Sequence, residues 1–129
     1  MRLLLDTQAW IWMLASPNRL STSSRALLTT PDSEIILSAA SVWEMAIKHS
    51  IGKLTLPEAP ETYIQRLIEE SGTTALPIYH RHAALVATLP RHHNDPFDRL
   101  LIAQAMVESI PIMTADRAFS AYDVELLEA

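Results

Sequence analysis

The sequence predicts an α/β protein, a three-layer α/β/α sandwich around a short, parallel central sheet. Three observations predict it. Short apolar runs, Leu3-Leu4-Leu5 first among them, alternate with longer stretches of helical periodicity. The runs are continuously apolar, as strands buried on both faces require, and strands separated by helices pair in parallel. Glycine occurs only at Gly52 and Gly72, so no glycine-rich phosphate loop can form. That excludes the dinucleotide-binding and P-loop versions of this class.

The elements follow in order. Leu3 to Leu5 is a first strand, ending at Asp6. Thr7 to Leu14 reads as a helix, stopped near Ser16-Pro17. Ser21 to Thr29 is a second helix, with serines available as caps. Glu34 to Leu37, rich in isoleucine, is the next strand. A helix from Ser41 to His49 follows and ends before Gly52. Pro60 to Glu70 is helical, with proline near its start and Gly72 past its end. Thr73 to Leu76 is a short strand and Tyr79 to Thr88 a helix. Asp95 to Ser109 is the clearest helix of the chain. Ile110 to Met113 is a strand, Asp116 to Ala121 a short helix, and Val124 to Leu127 a last strand. Trp10 and Trp12, two apart on a helix, cannot share a face. One is expected in the core and the other in an exposed apolar patch, and Trp43 is expected to pack in the core.

Composition narrows the function. The 129 residues fit one domain, 1–129, with no linker-like segment. Cysteine is absent, which excludes disulfides, thiolate metal sites and a cysteine nucleophile. Three leucines before Asp6 are too few for a signal-peptide core. The longest stretch without Asp, Glu, Lys or Arg, Thr7 to Asn18, has 12 residues. A membrane-spanning helix needs about 20, so a soluble, cytoplasmic protein without membrane contact is expected. The formal net charge of −5 at first opposes a nucleic-acid partner. Four carboxylates held on cations would bring it close to neutral, which removes the objection. Eight of the ten basic residues are arginine, the better partner for bidentate phosphate contacts.

The chemistry lies in the acids. In open α/β sheets the site forms at the carboxyl ends of the strands. Asp6 follows the first strand directly, and Thr114-Ala115-Asp116 follows the strand Ile110 to Met113. Glu44 is expected on the first turn of the helix after Glu34 to Leu37. Asp98 joins them if its helix starts at the same edge. Carboxylates gathered in this way repel one another unless a cation sits among them. An all-oxygen set selects Mg²⁺ or Mn²⁺, and such an ion polarises a phosphodiester and activates water.

Each acid also has a structural use. Asp6 is placed to cap the helix beginning at Thr7. Ser41-Val42-Trp43-Glu44 matches a capping box, and Glu44 can pair with Lys48 at i,i+4. Asp95-Pro96-Phe97-Asp98 has Asp95 at the N-cap, Pro96 at N1 and Asp98 at N3. Asp116 suits another cap. His92 and His93, beside Arg91, are candidate metal ligands, with a solvated loop or a polar rim that meets substrate phosphates as the commoner alternatives. No G-x-S-x-G elbow is present, so serine-hydrolase chemistry has no support.

Taken together, these segments resemble the PIN-domain nucleases, and among them the VapC-type toxins of bacterial toxin–antitoxin pairs. The resemblance runs along nearly the whole chain. It is carried by Leu3-Leu4-Leu5-Asp6-Thr7, by Ser38-Ala39-Ala40-Ser41-Val42-Trp43-Glu44 with Ala46-Ile47-Lys48, and by Gly52-Lys53-Leu54. It continues through His93-Asn94-Asp95-Pro96-Phe97-Asp98-Arg99-Leu100-Leu101-Ile102-Ala103-Gln104-Ala105 and Thr114-Ala115-Asp116. It implies that Asp6, Glu44, Asp98 and Asp116 surround Mg²⁺ or Mn²⁺. Thr114 resembles the family's small hydroxyl residue near the site, and Asp95 is implied as a cap behind the ligands. The implied reaction is endonucleolytic RNA cleavage by a metal-activated water, leaving a 5′-phosphate and a 3′-hydroxyl. A homodimer and a cognate VapB-type antitoxin, whose C-terminal segment covers the site, are the implied partners. Arg99 is a candidate contact for a scissile phosphate or the antitoxin, with a plain surface arginine as the alternative.

Two other classes compete. A phosphatase of the haloacid-dehalogenase type also begins with an Asp after a strand, but it wants a second acid two residues on, where this chain has Gln8. A non-catalytic binding module on the same fold would need neither the metal nor Asp98.

Overall fold

The computed structural model describes residues 1–129. Five strands form one fully parallel sheet in the order β3-β2-β1-β4-β5. They are β1 (Arg2–Leu5), β2 (Glu34–Ser38), β3 (Thr74–Leu76), β4 (Ile112–Thr114) and β5 (Leu126–Glu128). The helices are α1 (Thr7–Ala15), α2 (Thr22–Thr29), α3 (Ala39–Ser50), α4 (Pro60–Ser71), α5 (His80–Leu85) and α6 (Pro96–Glu108). Short 3-10 turns cover Pro17–Arg19, Val86–Thr88 and Arg117–Ala121. The expected three-layer α/β/α sandwich is the fold observed.

The layering follows from the pleat. Successive strand residues point to opposite faces, so the apolar runs supply two cores at once. Leu4, Ile36 and Ile112 pack on one face with Leu101, Ile102 and Ala105 of α6. Leu3, Leu5, Leu37 and Met113 pack on the other with Trp10 of α1, Met45 of α3, and Ile64 and Ile68 of α4. Both faces of β1 are therefore buried, and its three leucines are fully enclosed. Polar residues would have no place there, which is why the run is continuously apolar.

Several boundaries differ from expectation for local reasons. Helix α3 starts two residues before Ser41, because Ser38 provides the cap: its Oγ accepts from the Ala40 amide at 2.9 Å. Ser41 thus lies inside the helix, where its Oγ is buried with no hydrogen-bond partner, and the capping box is not formed. Glu44 falls on the second turn of α3, not the first. Strand β4 begins at Ile112, not Ile110, since Ser109 caps α6 in the left-handed conformation (φ 55°) and the chain turns before the strand. Trp43 is 56% exposed rather than a core residue, its ring edge-on to Phe97 with centroids 5.0 Å apart. Of the other pair, Trp10 is buried as expected for one of them, while Trp12 is half-buried under the Arg19 guanidinium. No helix is long and apolar enough to cross a membrane.

Candidate metal centre

The strand order reverses direction around β1, so a crevice opens at the carboxyl edge between β1 and its neighbours. Asp6 stands there as the first residue after β1. Its carboxylate does two things. Oδ1 accepts from the Ala9 amide at 2.8 Å and caps α1. Oδ2 accepts from the Thr114 hydroxyl at 2.5 Å, which ties the end of β1 to the end of β4. The Thr114 Oγ1 in turn accepts from the Asp116 amide at 3.0 Å. Asp116 then caps the 3-10 turn after it, Oδ1 accepting from the Ala118 amide at 2.9 Å.

Glu44 reaches the same edge from α3. Thr7 donates its hydroxyl to Glu44 Oε1 at 2.8 Å, and Lys48 one turn on donates to Oε2 at 2.6 Å. The expected i,i+4 pair is thus formed. Asp98 arrives from α6, whose N-terminus lies at this edge because the helix runs back across the sheet into β4. Asp95 is its N-cap, Oδ1 accepting from the Phe97 and Asp98 amides at 2.8 and 3.3 Å, with Pro96 at N1. The cap reading of this segment holds in every detail, and it fixes Asp98 on the first turn.

His93 joins the two halves. Its Nε2 lies 3.0 Å from Asp98 Oδ2 and 3.3 Å from Asp116 Oδ2. Ligand atoms of His93, Asp98 and Asp116 all fall within 4.8 Å of one another.

The electrostatics follow the geometry. Burial pushes the Asp6 carboxyl above its ordinary range, and the charges of Glu44 and Asp116 push it further, against the Thr114 and Ala9 hydrogen bonds. Asp98 is pushed up to about 7, first by burial and then by the charges of Asp95, Glu44 and Asp6, with His93 opposing. Asp6 thus feels Glu44 and Asp116, and Asp98 feels Glu44 and Asp6, across chain segments far apart in sequence. One ammonium faces them. Lys48 is held above its ordinary value chiefly by its hydrogen bond to Glu44, with help from the charges of Asp95 and Asp98. A single cation does not balance this many carboxylates. The carboxylates at this edge are hard oxygen donors, which fit Mg²⁺ or Mn²⁺, and His93 Nε2 is a nitrogen beside them.

Arg99, the candidate contact for a phosphate or the antitoxin, is engaged within the chain. Its Nη1 donates to Pro90 O at 2.8 Å and to Tyr122 Oη at 3.2 Å. Its Nη2 donates to Val86 O at 3.0 Å and Leu89 O at 3.3 Å. Both terminal nitrogens serve the loop in front of α6. Of the two candidate histidines, His93 is the one found among the ligand atoms, and the parts played by three residues escaped the sequence. Thr7 had a usable signal, a hydroxyl beside Asp6 at a helix start. The bridging role of His93 depends on its loop, and Tyr122 acts through a phenol that meets residues about thirty positions away, so neither left a local pattern.

A family model for the PIN domain matches residues 3–125. The chain belongs to the PIN-domain family. Among curated proteins, ribonuclease VapC16 of Mycobacterium tuberculosis is 39% identical to this PIN domain over 61 residues. The match spans 47% of this chain and 43% of that protein, so it covers less than half of its length. Among solved structures, VapBC2 from Rickettsia felis, bound to a DNA fragment from its promoter, superposes with a TM-score of 0.73 at 14% identity, covering 98% of both chains. VapBC-1 from nontypeable Haemophilus influenzae gives 0.70 at 17% identity, covering 99% of this PIN domain and 98% of that chain. At those identities the likeness concerns the fold.

Proposed function

We propose that this PIN domain is a Mg²⁺- or Mn²⁺-dependent endoribonuclease that acts as the toxin of a toxin–antitoxin pair. One observation supports the reading: ligand atoms of Asp98 and Asp116 lie within 4.8 Å of each other and of His93, while Asp6 and Glu44 stand at the same sheet edge, where burial and neighbouring carboxylates push the Asp6 and Asp98 carboxyls upward. Structural carboxylates are normally placed to be stabilised as anions. Here burial and like charge oppose ionisation, as expected of a site completed by a cation.

In this reading the four carboxylates hold the ion. Bound there, a divalent cation supplies Lewis-acid polarisation of a phosphodiester and a source of hydroxide near neutral pH. The protein's own groups do the rest. Thr114 and Thr7 donate to Asp6 and Glu44 and so aim their free lone pairs. Asp95 anchors the turn that carries Asp98. A groove of about 500 Å³ runs beside the site, lined by Glu44, Lys48, Lys53, Asn94, Asp95 and Phe97 among others. Its two ammonium groups offer phosphate contacts while Phe97 offers an apolar wall, a combination suited to a single strand of RNA.

The antitoxin and homodimer belong to the same proposal. Trp43 and Ile47 are exposed at i, i+4 on α3, Ile51 is exposed just past its end, and Met106 is exposed on α6. Apolar side chains left in water in that way suit a protein partner. The VapC16 likeness and the VapBC folds support a VapB-type antitoxin as one such partner. The proposal is tested by incubating purified protein with total cellular RNA and Mg²⁺, Mn²⁺ or EDTA. Discrete fragments with 5′-phosphate ends, formed with metal and absent with EDTA, are expected. Cleavage that survives EDTA would refute the metal reading.

A further inference from the structure

The loop between the 3-10 turn Val86–Thr88 and α6 is anchored by one phenol. Tyr122 Oη accepts from the His92 and His93 amides at 3.1 and 2.9 Å and donates to Pro90 O at 2.8 Å. Arg99 fastens the same loop through Pro90, Leu89 and Val86. Tyr122 and Arg99 thus hold the loop that carries His93 through its backbone.

The ring has a defined proton arrangement. Its Nδ1 lies 3.1 Å from the Asp95 amide. An amide N–H only donates, so Nδ1 must accept and is unprotonated. The neutral ring then carries its proton on Nε2, the atom hydrogen-bonded to Asp116 Oδ2 at 3.3 Å and lying 3.0 Å from Asp98 Oδ2. That atom cannot also bind a cation, since its lone pair is committed to the proton. It can only donate. A carboxylate oxygen has two lone pairs, so one that accepts from His93 keeps another for a metal.

Building on the metal-site reading above, we propose that His93 is a positioning residue. Its Nε2–H draws the Asp98 and Asp116 carboxylates, which come from different elements, into the arrangement that binds a divalent cation. Groups that hydrogen-bond ligating carboxylates commonly change metal affinity by about 10–100-fold. Two substitutions separate this role from simple packing. His93→Asn places an amide oxygen near the Nδ1 position, so the Asp95 contact survives, but it does not reach the carboxylates. His93→Gln places an amide N–H near the Nε2 position.

The experiment is calorimetric titration of Mn²⁺ into the metal-free full chain, for wild type and both variants, with circular dichroism to establish the fold. His93→Asn is expected to bind about 10–100-fold more weakly than wild type, and His93→Gln to recover most of the loss. Wild-type affinity in His93→Asn, or equal loss in both variants, would overturn the role of His93 while leaving the metal site standing. A wild-type protein that takes up no Mn²⁺ would overturn the metal reading itself, and His93 with it.

Discussion

Asp98 answers two demands with one side chain. At N3 of α6 an acid favours the helix dipole, and at the sheet edge the same acid enters a crowd of carboxylates. The second demand costs stability when no cation is present. An acid whose folded value lies near 7, against 3.8 for the free group, binds protons more readily in the folded chain than in the unfolded one. Stability of the metal-free protein therefore falls as pH rises from about 4 to 7. Thermal melts in EDTA should show a higher Tm at pH 5 than at pH 7.5, and Asp98→Asn should flatten that difference. A melt of wild type that rises with pH across this window would contradict the account. The acids were legible residue by residue, because capping and ligation both put carboxylates at strand ends and helix starts. What the residues alone could not decide was which use applied. For Asp6 and Asp116 the structure has the cap on one oxygen, while the other meets Thr114 or His93.

At the scale of elements, caps decide where side chains arrive. Ser38 ends β2, caps α3 and donates to Gln104 Oε1 of α6 at 2.5 Å inside the core. Ser38→Ala removes a cap and leaves a buried acceptor without a partner. The expected loss is about 2–4 kcal/mol, readable as a lower denaturant midpoint. A change under 0.5 kcal/mol would show that water replaces the hydroxyl. Tyr122→Phe should likewise destabilise the chain, by about 1–3 kcal/mol, because the His92 and His93 amides lose their acceptor. The start of α6 was legible because Asp95-Pro96 combines a cap with the residue best suited to N1. The start of α3 was not, because Ser38 and Ser41 are both competent caps and the intervening alanines favour a helix from either. That offset of three residues moved Glu44 from the first turn to the second without taking it from the site. Trp43 was misplaced for a related reason: a large aromatic beside core positions reads as core, yet its α3 position faces outward onto Phe97.

Across the whole molecule, the site is a consequence of topology. With β1 central and β2 and β4 on either side, the carboxyl ends of three adjacent strands, or the helices that leave them, bring Asp6, Glu44 and Asp116 together. Helix α6 must start at that edge in order to feed β4, and so delivers Asp98. The alternation of short apolar runs with helices made this architecture legible, although the strand order itself has no signature in composition. A second consequence concerns stability of the entire chain. A ligand that binds only the folded state at about 100 times its Kd adds about 2.7 kcal/mol. For a domain of this size that corresponds to a rise of roughly ten degrees in Tm. Millimolar Mn²⁺ should produce a shift of that kind in wild type and a much smaller one in Asp98→Asn. No shift in wild type would count against a site assembled by the fold.

If the carboxylate cluster cuts RNA, side-by-side digestion of total cellular RNA by wild type and Asp98→Asn in Mn²⁺ should give discrete fragments with wild type and none with a variant that melts as a folded protein. Equal cleavage by both would remove Asp98 from the chemistry and place the active site elsewhere.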